Sequence, residues 1–140
     1  MSDACIFCRI AGGQIPASKV YEDGRTCAFL DIHPIIQGHV LVIPREHVES
    51  LDAAAPESVH AVMDTVRKVV RAQRRSLAAD GVNVLQNNGA ASGQVVPHLH
   101  VHVIPRFDDD GHHWNWVTRS YQGEEEIEQT AAGLRQALRE

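Results

Sequence analysis

Residues 93–106, GQVVPHLHVHVIPR, carry the most informative pattern in this 140-residue chain. Three histidines alternate here with aliphatic residues: His98, His100 and His102. Successive side chains of a β-strand point to opposite faces, so the alternation predicts three imidazoles on one face of a strand and core-forming residues on the other. We expect the strand to run from about residue 95 to residue 104 and to end at Pro105.

The composition is that of a globular protein and excludes several classes. Apolar residues make up 44% of the chain and charged residues 22%. A formal charge of −5 argues against a basic nucleic-acid-binding surface. No run approaches the ~20 apolar residues of a membrane span, and residues 1–13 have no signal-peptide pattern. Histidine is over-represented, with nine copies against two Trp, two Tyr and three Phe.

The three cysteines favour a reduced, cytoplasmic setting. They cannot all pair within one chain, and no secretory signal is expected. Cys5 and Cys8 form a C-x-x-C pair, while Cys27 stands apart. Because a second C-x-x-C is absent, any zinc site would have to include histidines.

The remaining pattern predicts an α+β fold. Residues 19–23 and 26–32 flank Gly24-Arg25 as a β-hairpin, and residues 39–43 and 82–86 are strand-like. Apolar residues at helical spacing predict a long helix over 57–79 and a C-terminal helix from Glu124. We therefore expect a single domain over 1–140, with a mostly antiparallel sheet of about five strands, a long central helix and a C-terminal helix. The basic run of the long helix is interpreted as a solvated face: Arg67, Lys68, Arg71, Arg74 and Arg75.

The histidine spacing limits what the triad can do. The outer pair on an extended strand is separated by about 13 Å at Cα, which is too far for both imidazoles to bind one zinc ion. At least one imidazole must therefore serve another purpose. The neighbouring loop 87–94, NNGAASGQ, offers backbone N–H groups, amides and a hydroxyl for an anion. Imidazole can attack or donate to a phosphoryl group, so the pattern favours phosphate chemistry.

The motif and its neighbours resemble the histidine triad (HIT) family. HLHVHVI at 98–104 fits the His-φ-His-φ-His-φ-φ motif, and FLDIHP at 29–34 and GHVLVIPREHV at 38–48 resemble two further family blocks. The opening CIFCRIAGGQIPASKVYED is similar to bacterial members close to the Hint branch. The resemblance covers about residues 4–107 and leaves residues 108–140 as an extension.

The resemblance implies a phosphoramidase-like nucleotide hydrolase or transferase that needs no organic cofactor. His100 would attack the α-phosphorus of an AMP conjugate and form a covalent nucleotidyl-histidine, with His102 and His39 near the phosphates. Asp31 would bind the ribose and Gln94 the phosphoryl oxygens, and Asn87 would lie near the phosphates or the leaving group. The implied base cleft is apolar and consists of Ile6, Phe7, Ile10, Phe29 and the flanking Ile32. Val95 departs from the Ser or Thr of many members, which puts the leaving group in doubt.

The resemblance also implies a structural zinc ion and a homodimer. Relatives with this C-x-x-C bind zinc, and the ligands here would be Cys5, Cys8, His47 and His98. The expected partner is a small nucleotide substrate, with no nucleic acid and no membrane. Three alternatives stay open: a dinucleoside polyphosphate hydrolase, a non-catalytic zinc-braced nucleotide-binding protein, and a metalloenzyme that uses the triad as ligands.

Overall fold

The centre of the protein is one antiparallel five-stranded sheet. The structure is a computed structural model that describes residues 4–140, so the first three residues of the predicted domain lie outside it. The strand order is β1-β2-β3-β5-β4, and every neighbouring pair is antiparallel. The strands are β1 Lys19–Glu22, β2 Thr26–Leu30, β3 Val40–Pro44, β4 Gly81–Gln86 and β5 Val101–Arg106. The α-helices are α1 Ile6–Ala11, α2 Pro56–Leu77 and α3 Glu124–Leu138, and Ala90–Ser92 form a 3₁₀ turn.

The predicted hairpin is confirmed, and a carboxylate holds its turn. Asp23 Oδ1 accepts hydrogen bonds from the backbone N–H groups of Arg25 at 2.8 Å and Thr26 at 2.9 Å. These bonds and the Tyr21 hydroxyl lower the pKa of Asp23 to about 2. A short Asp side chain that bonds backbone two and three residues ahead is a common turn device.

The long helix covers one face of the sheet. Pro56 occupies the first helical turn, where a missing N–H costs nothing, and three valines face inward: Val62, Val66 and Val69. They pack against the even-numbered side of β3 and the odd-numbered side of β5, including Val42 and Val103. This face forms the aliphatic half of the core.

The opposite face of the sheet is covered by α1. Phe7, Cys8 and Ile10 pack there against Phe29 and Ile43, which alternate along β2 and β3 with the residues of the α2 face. Because α1 has only six residues, it covers only part of this face. The histidine segment lies beside α1 on this face, with His98 and His100 buried against Phe7.

The strand that contains the histidines was predicted to start at about residue 95, and this was wrong. β5 begins at Val101 because the preceding backbone bonds elsewhere: His98 N–H donates to Val96 O and Leu99 N–H to Val48 O. His98 and His100 therefore precede the strand, and only His102 of the three histidines lies in it. The predicted stop at Pro105 was also wrong, since β5 runs to Arg106.

The predicted C-terminal helix is present as α3, but it has no buried residue. Its apolar stripe is exposed, with Ile127 at 47% and Leu134 at 61% of their full accessible areas. No helix within residues 4–140 is both long enough and apolar enough to cross a membrane.

Candidate functional site

The candidate site is a cleft of about 480 Å³ on the α1 face of the sheet. It brings together all of the predicted base-cleft residues, namely Ile6, Phe7, Ile10, Phe29 and Ile32. Asp31, His100 and His102 line the same cleft. An apolar pocket with a few convergent polar groups is the usual form of a small-molecule site.

Phe7 forms the wall between the two halves of the site. Its ring meets His100 edge-on at 5.1 Å and Phe29 at 5.5 Å between centroids. On its other side it meets His98 at 5.9 Å. One aromatic ring of α1 therefore supports both the cleft and the histidine behind it.

His100 is held in one tautomer by the backbone. Its Nδ1 lies 2.7 Å from the carbonyl oxygen of His98, which can only accept, so Nδ1 carries the proton. Burial lowers the pKa of His100, although the same hydrogen bond opposes this. A neutral ring with Nδ1–H leaves the Nε2 lone pair for the cleft, which is the form of imidazole that can act as a nucleophile.

His102 is held in the opposite tautomer through His39. The backbone N–H of Ile35 donates to His39 Nδ1 at 3.1 Å, so the proton of neutral His39 is on Nε2. His39 Nε2 lies 3.0 Å from His102 Nδ1 and donates to it. The proton of neutral His102 is thus on its own Nε2, ready to donate into the cleft.

Burial keeps this pair neutral. It lowers the pKa of His39 and brings that of His102 to about 4, with smaller effects on His102 from the neighbouring imidazoles. The rings of His100 and His102 are 5.0 Å apart. The cleft therefore has a lone pair and an N–H donor side by side.

Asp31 lines the cleft, and one of its two carboxylate oxygens already accepts a hydrogen bond from the backbone. Its Oδ1 accepts the backbone N–H of His33 at 2.9 Å, and its Oδ2 is 3.7 Å from His39 Nε2, which is beyond hydrogen-bond distance. A carboxylate oxygen beside an apolar cleft suits a ligand with hydroxyl donors.

Three other predicted residues do not line the cleft. His39 is 2% exposed and reaches it only through His102. The Gln94 side chain braces the loop: its Oε1 accepts from Gly89 N–H, and its Nε2 donates to the carbonyls of Glu49 and Val96. Asn87 lies against Gly93, which does line the cleft and has a φ of +103° that favours glycine.

The cleft also contains residues that the sequence analysis missed. The segment after α1 contributes Ile15, Pro16 and Ala17, and β3 contributes Leu41. Three of them, Ile15, Pro16 and Ala17, lie within the segment CIFCRIAGGQIPASKVYED that resembles the family. Their position directly after the predicted base-cleft residues was the available signal.

A second cluster lies behind Phe7 and could hold a metal ion. It consists of Cys5, Cys8, His47 and His98, whose ligand atoms all lie within 4.8 Å of one another. His98 Nδ1 is 3.3 Å from Cys5 Sγ, 3.5 Å from Cys8 Sγ and 3.2 Å from His47 Nδ1. A tetrahedral zinc ion with normal bond lengths separates its sulfur and nitrogen ligands by about 3.3–3.8 Å, so the spacing fits such an ion.

The tautomer of His98 also suits a metal ligand. Its Nε2 lies 2.9 Å from the carbonyl oxygen of Pro44 and donates to it, so the Nδ1 lone pair faces the cluster. Asp31, His39 and His102 form another group of possible ligands. There, however, His39 Nε2 carries a proton toward His102, which disfavours a metal ion. His98 and His102 thus belong to different groups, as the spacing argument required.

Comparisons with known proteins agree with this geometry. The family profile described as HIT domain matches residues 12–109. This chain belongs to the HIT domain family.

Relatives and solved structures support the HIT assignment. Over 107 residues the chain is 41% identical to the adenosine 5′-monophosphoramidase hnt1 of Schizosaccharomyces pombe, covering 76% of this chain and 77% of that protein. A crystal structure of a HIT family member from Bacillus subtilis matches with a TM-score of 0.88 and 39% identity over 96% of both chains. A zinc-bound histidine triad protein from Mycobacterium smegmatis matches with a TM-score of 0.74 and 35% identity, over 96% of this chain and 97% of that one.

Proposed function

We propose that this HIT protein is a phosphoramidase-like nucleotide hydrolase or transferase that cleaves AMP conjugates at the α-phosphate. The observation that carries the proposal is the paired chemistry of His100 and His102, which offer a lone pair and an N–H donor to one cleft. The resemblance to an adenosine 5′-monophosphoramidase at 41% identity supports the substrate class.

In the proposed reaction, His100 Nε2 attacks the α-phosphorus. A phosphorus–nitrogen bond to His100 forms while the bond to the leaving amine breaks, and that amine takes up a proton. The Nε2–H of His102 neutralises charge on the phosphoryl oxygens or supplies this proton. Water then cleaves the nucleotidyl-histidine and releases AMP, which restores neutral His100.

The rest of the cleft would position the nucleoside. Apolar residues around Phe7 and Phe29 fit a purine base, and the uncommitted Oδ2 of Asp31 fits a ribose hydroxyl. His39 would act by holding the tautomer of His102. Asn87 and Gln94 would act by shaping the loop that faces the phosphates, with Gln94 fully committed to backbone partners.

We further propose that Cys5, Cys8, His47 and His98 bind a structural zinc ion. Two thiolates and two imidazoles give a neutral, closed site, and no position is left for substrate. The zinc-bound relative from Mycobacterium smegmatis supports this choice of metal. The ion would tie α1 to the histidine segment.

The proposal extends to the domain organisation, the compartment and the oligomeric state of the protein. We propose a single domain over 1–140 that works as a cytoplasmic homodimer, with residues 108–140 as an extension.

Product analysis with intact-protein mass spectrometry tests the function. The protein is incubated separately with an adenosine phosphoramidate and a diadenosine polyphosphate. We expect AMP from the phosphoramidate and a transient AMP adduct, both lost in His100→Ala and kept in the exposed control His60→Ala. Faster cleavage of the diadenosine compound would favour the polyphosphate hydrolase alternative. Tight AMP binding without turnover of either compound would favour a non-catalytic binding protein.

A further inference from the structure

The exposed stripe of α3 requires a surface to pack against. Its apolar residues are spaced at three and four positions along one side of the helix: Ile127, Ala131, Leu134 and Leu138. An isolated helix of 15 residues is only marginally stable in water. Burial of this stripe would stabilise the helix, so the molecule should contain a surface that matches it.

An apolar groove of about 460 Å³ lies on the α2 face of the sheet and shares only Leu30 with the lining of the nucleotide cleft. It runs between the C-terminal half of α2 and the β1–β2 hairpin. Val40, Val69 and Gln73 lie among its lining residues, together with the half-exposed Val20 and Leu77. Buried Gln73 donates through Nε2 to the carbonyls of Gly38 and Val103, which fixes the strands beneath the groove.

The groove and the stripe match in length. The α2 residues that line the groove extend from Lys68 to Leu77, about 14 Å along the helix axis. The stripe from Ile127 to Leu138 spans about 16 Å. An amphipathic helix laid in an apolar groove is a common recognition mode.

The two surfaces also have opposite charges. The α2 side of the groove is basic, since Lys68 lines it and Arg71 and Arg75 line the adjoining surface. The first turns of α3 are acidic: Glu124, Glu125, Glu126 and Glu128. An antiparallel arrangement would bring these glutamates to the C-terminal, arginine-bearing end of α2, and it would also align the two helix dipoles favourably.

The course of the tail favours docking of α3 into the groove of a second copy over docking into its own groove. The tail is fixed at the β4 edge, where Arg106 pairs with Asp110 at 2.7 Å and Trp114 Nε1 donates to Asn83 of β4 at 2.9 Å. The groove lies beside β1, which is the opposite edge strand of the sheet. At Trp114 the tail is therefore at the edge of the sheet opposite to its own groove.

We propose that α3 of one chain docks into the α2 groove of a second copy. The contact would bury the stripe and pair the acidic end of α3 with Arg71 and Arg75. It is independent of the proposed chemistry, because no residue that we propose to bind or react with the nucleotide lies in α3 or in the groove.

Cysteine cross-linking between two differently tagged chains tests whether α3 docks on a second copy. Ala72→Cys, in the groove, and Ala131→Cys, in the stripe, are placed on separate chains and co-expressed, and the purified protein is mildly oxidised. We expect a covalent dimer that contains both tags and a disulfide-linked peptide pair from positions 72 and 131. Gln136→Cys, on the opposite side of α3, is the matched control and should give little cross-link with position 72.

Two outcomes would overturn the proposal. One is a chain carrying both substitutions that cross-links only within itself, which would mean that α3 docks on its own groove. The other is the absence of any cross-link between positions 72 and 131, with α3 still helical by circular dichroism.

Charge reversal tests the orientation. Arg71→Glu with Arg75→Glu on the groove chain should reduce the cross-link yield about fivefold at low salt. Glu124→Lys with Glu125→Lys on the α3 chain should restore it. An unchanged yield in the groove variant would contradict docking with the acidic end of α3 at these arginines.

Discussion

His100 and His102 lie two residues apart, yet they present different nitrogen chemistry to the same cleft. The difference comes from two main-chain groups, the carbonyl of His98 and the N–H of Ile35. Neither group can change its role, since a carbonyl only accepts and an amide N–H only donates. The main chain therefore fixes which imidazole can attack and which can donate.

The low pKa of His102 makes stability depend on pH. The pKa of an unfolded histidine is about 6.5, while that of folded His102 is about 4, so the unfolded chain binds more protons between these values. This contribution is fully present above pH 6.5 and is lost as the pH falls. We expect His102 to account for about 2 kcal/mol of the fall in unfolding free energy between pH 7 and pH 5.

Urea unfolding of wild type and His102→Gln at the two pH values measures this contribution. Glutamine can still accept a hydrogen bond from His39 but does not titrate. The fall in unfolding free energy between pH 7 and pH 5 should therefore be about 2 kcal/mol smaller in His102→Gln than in wild type. The exposed control His60→Gln should keep the wild-type dependence. Equal dependence in wild type and His102→Gln would contradict the assigned pKa.

The sequence predicted the residue types of the site better than their contacts. Cys5, Cys8, His47 and His98 were expected together and do lie together. His39 was expected at the phosphates, but it stands behind His102, a contact between residues 63 positions apart. Such pairing depends on how β3 and β5 register, which short motifs do not encode.

At the scale of elements, β2 and α2 are joined by one buried polar contact. Thr26 Oγ1 and Thr65 Oγ1 are 2.7 Å apart, and both residues are almost fully buried. Removing one hydroxyl leaves the other with a poorer partner, for Thr26 only Asp23 Oδ1 at 3.5 Å, which costs about 1–3 kcal/mol, whereas removing both can be nearly neutral.

We therefore expect Thr65→Val to lower the unfolding free energy by about 1–2 kcal/mol, and Thr26→Val with Thr65→Val to recover part of that loss. Denaturant unfolding of the two single variants and the double variant measures the coupling. Strictly additive losses would show that the hydroxyl pair does not couple the strand to the helix.

Two cysteines, Cys5 and Cys8, lie at the start of the short helix α1, whose Phe7 and Ile10 are buried in the core. Cys5 caps its N-terminus, where Sγ accepts the N–H of Cys8, and both thiols belong to the possible metal cluster. Six residues are too few to form a stable helix alone. Loss of the metal should therefore release α1 before the sheet unfolds.

Metal analysis and amide hydrogen exchange test whether loss of the metal releases α1 before the sheet unfolds. We expect about one zinc per chain in wild type and in Cys27→Ala, and clear loss in Cys8→Ala. Exchange at residues 6–11 should rise in Cys8→Ala while α2 stays protected. Substoichiometric zinc in wild type, not restored by added zinc, would contradict a zinc site.

The element with the wrong predicted boundary is β5. Alternation of apolar and polar residues extends back from the strand to residue 97, but Pro97 has no N–H for a ladder, and the N–H of Leu99 donates to Val48. Periodicity reports which side chains are buried and cannot report which backbone groups pair. Of the helices, α2 and α3 were predicted closely, whereas α1 was not predicted. Pro56 does begin α2, but the helix ends at Leu77 with Ala78 in the left-handed conformation, and Gly81 begins β4.

At the scale of the whole molecule, the sheet separates two surfaces. The cleft and the metal cluster lie on the α1 face, and the α2 groove lies on the other. β4 is an edge strand that pairs only with β5, and Val84 on it is 46% exposed beside Met63 of α2 at 43%. This apolar edge is a reasonable surface for the proposed homodimer.

Sedimentation or light scattering of Val84→Lys tests that surface. A lysine at this edge should shift the protein toward the monomer, because a buried unpaired charge is costly at an interface. Gln14→Lys, an exposed change of similar charge on the α1 face, should leave the mass unchanged. A dimer that persists when Val84→Lys is combined with Arg71→Glu and Arg75→Glu, which weaken the proposed α3 contact, would place the interface elsewhere.

His98 has two separable duties, because its side chain faces the metal cluster while its carbonyl oxygen binds His100. Every amino acid has that carbonyl, so substitution at position 98 can remove a metal donor without removing the acceptor seen by His100. In evolutionary terms, a lineage could exchange or abandon its metal while the orientation of the reacting imidazole is inherited through the main chain.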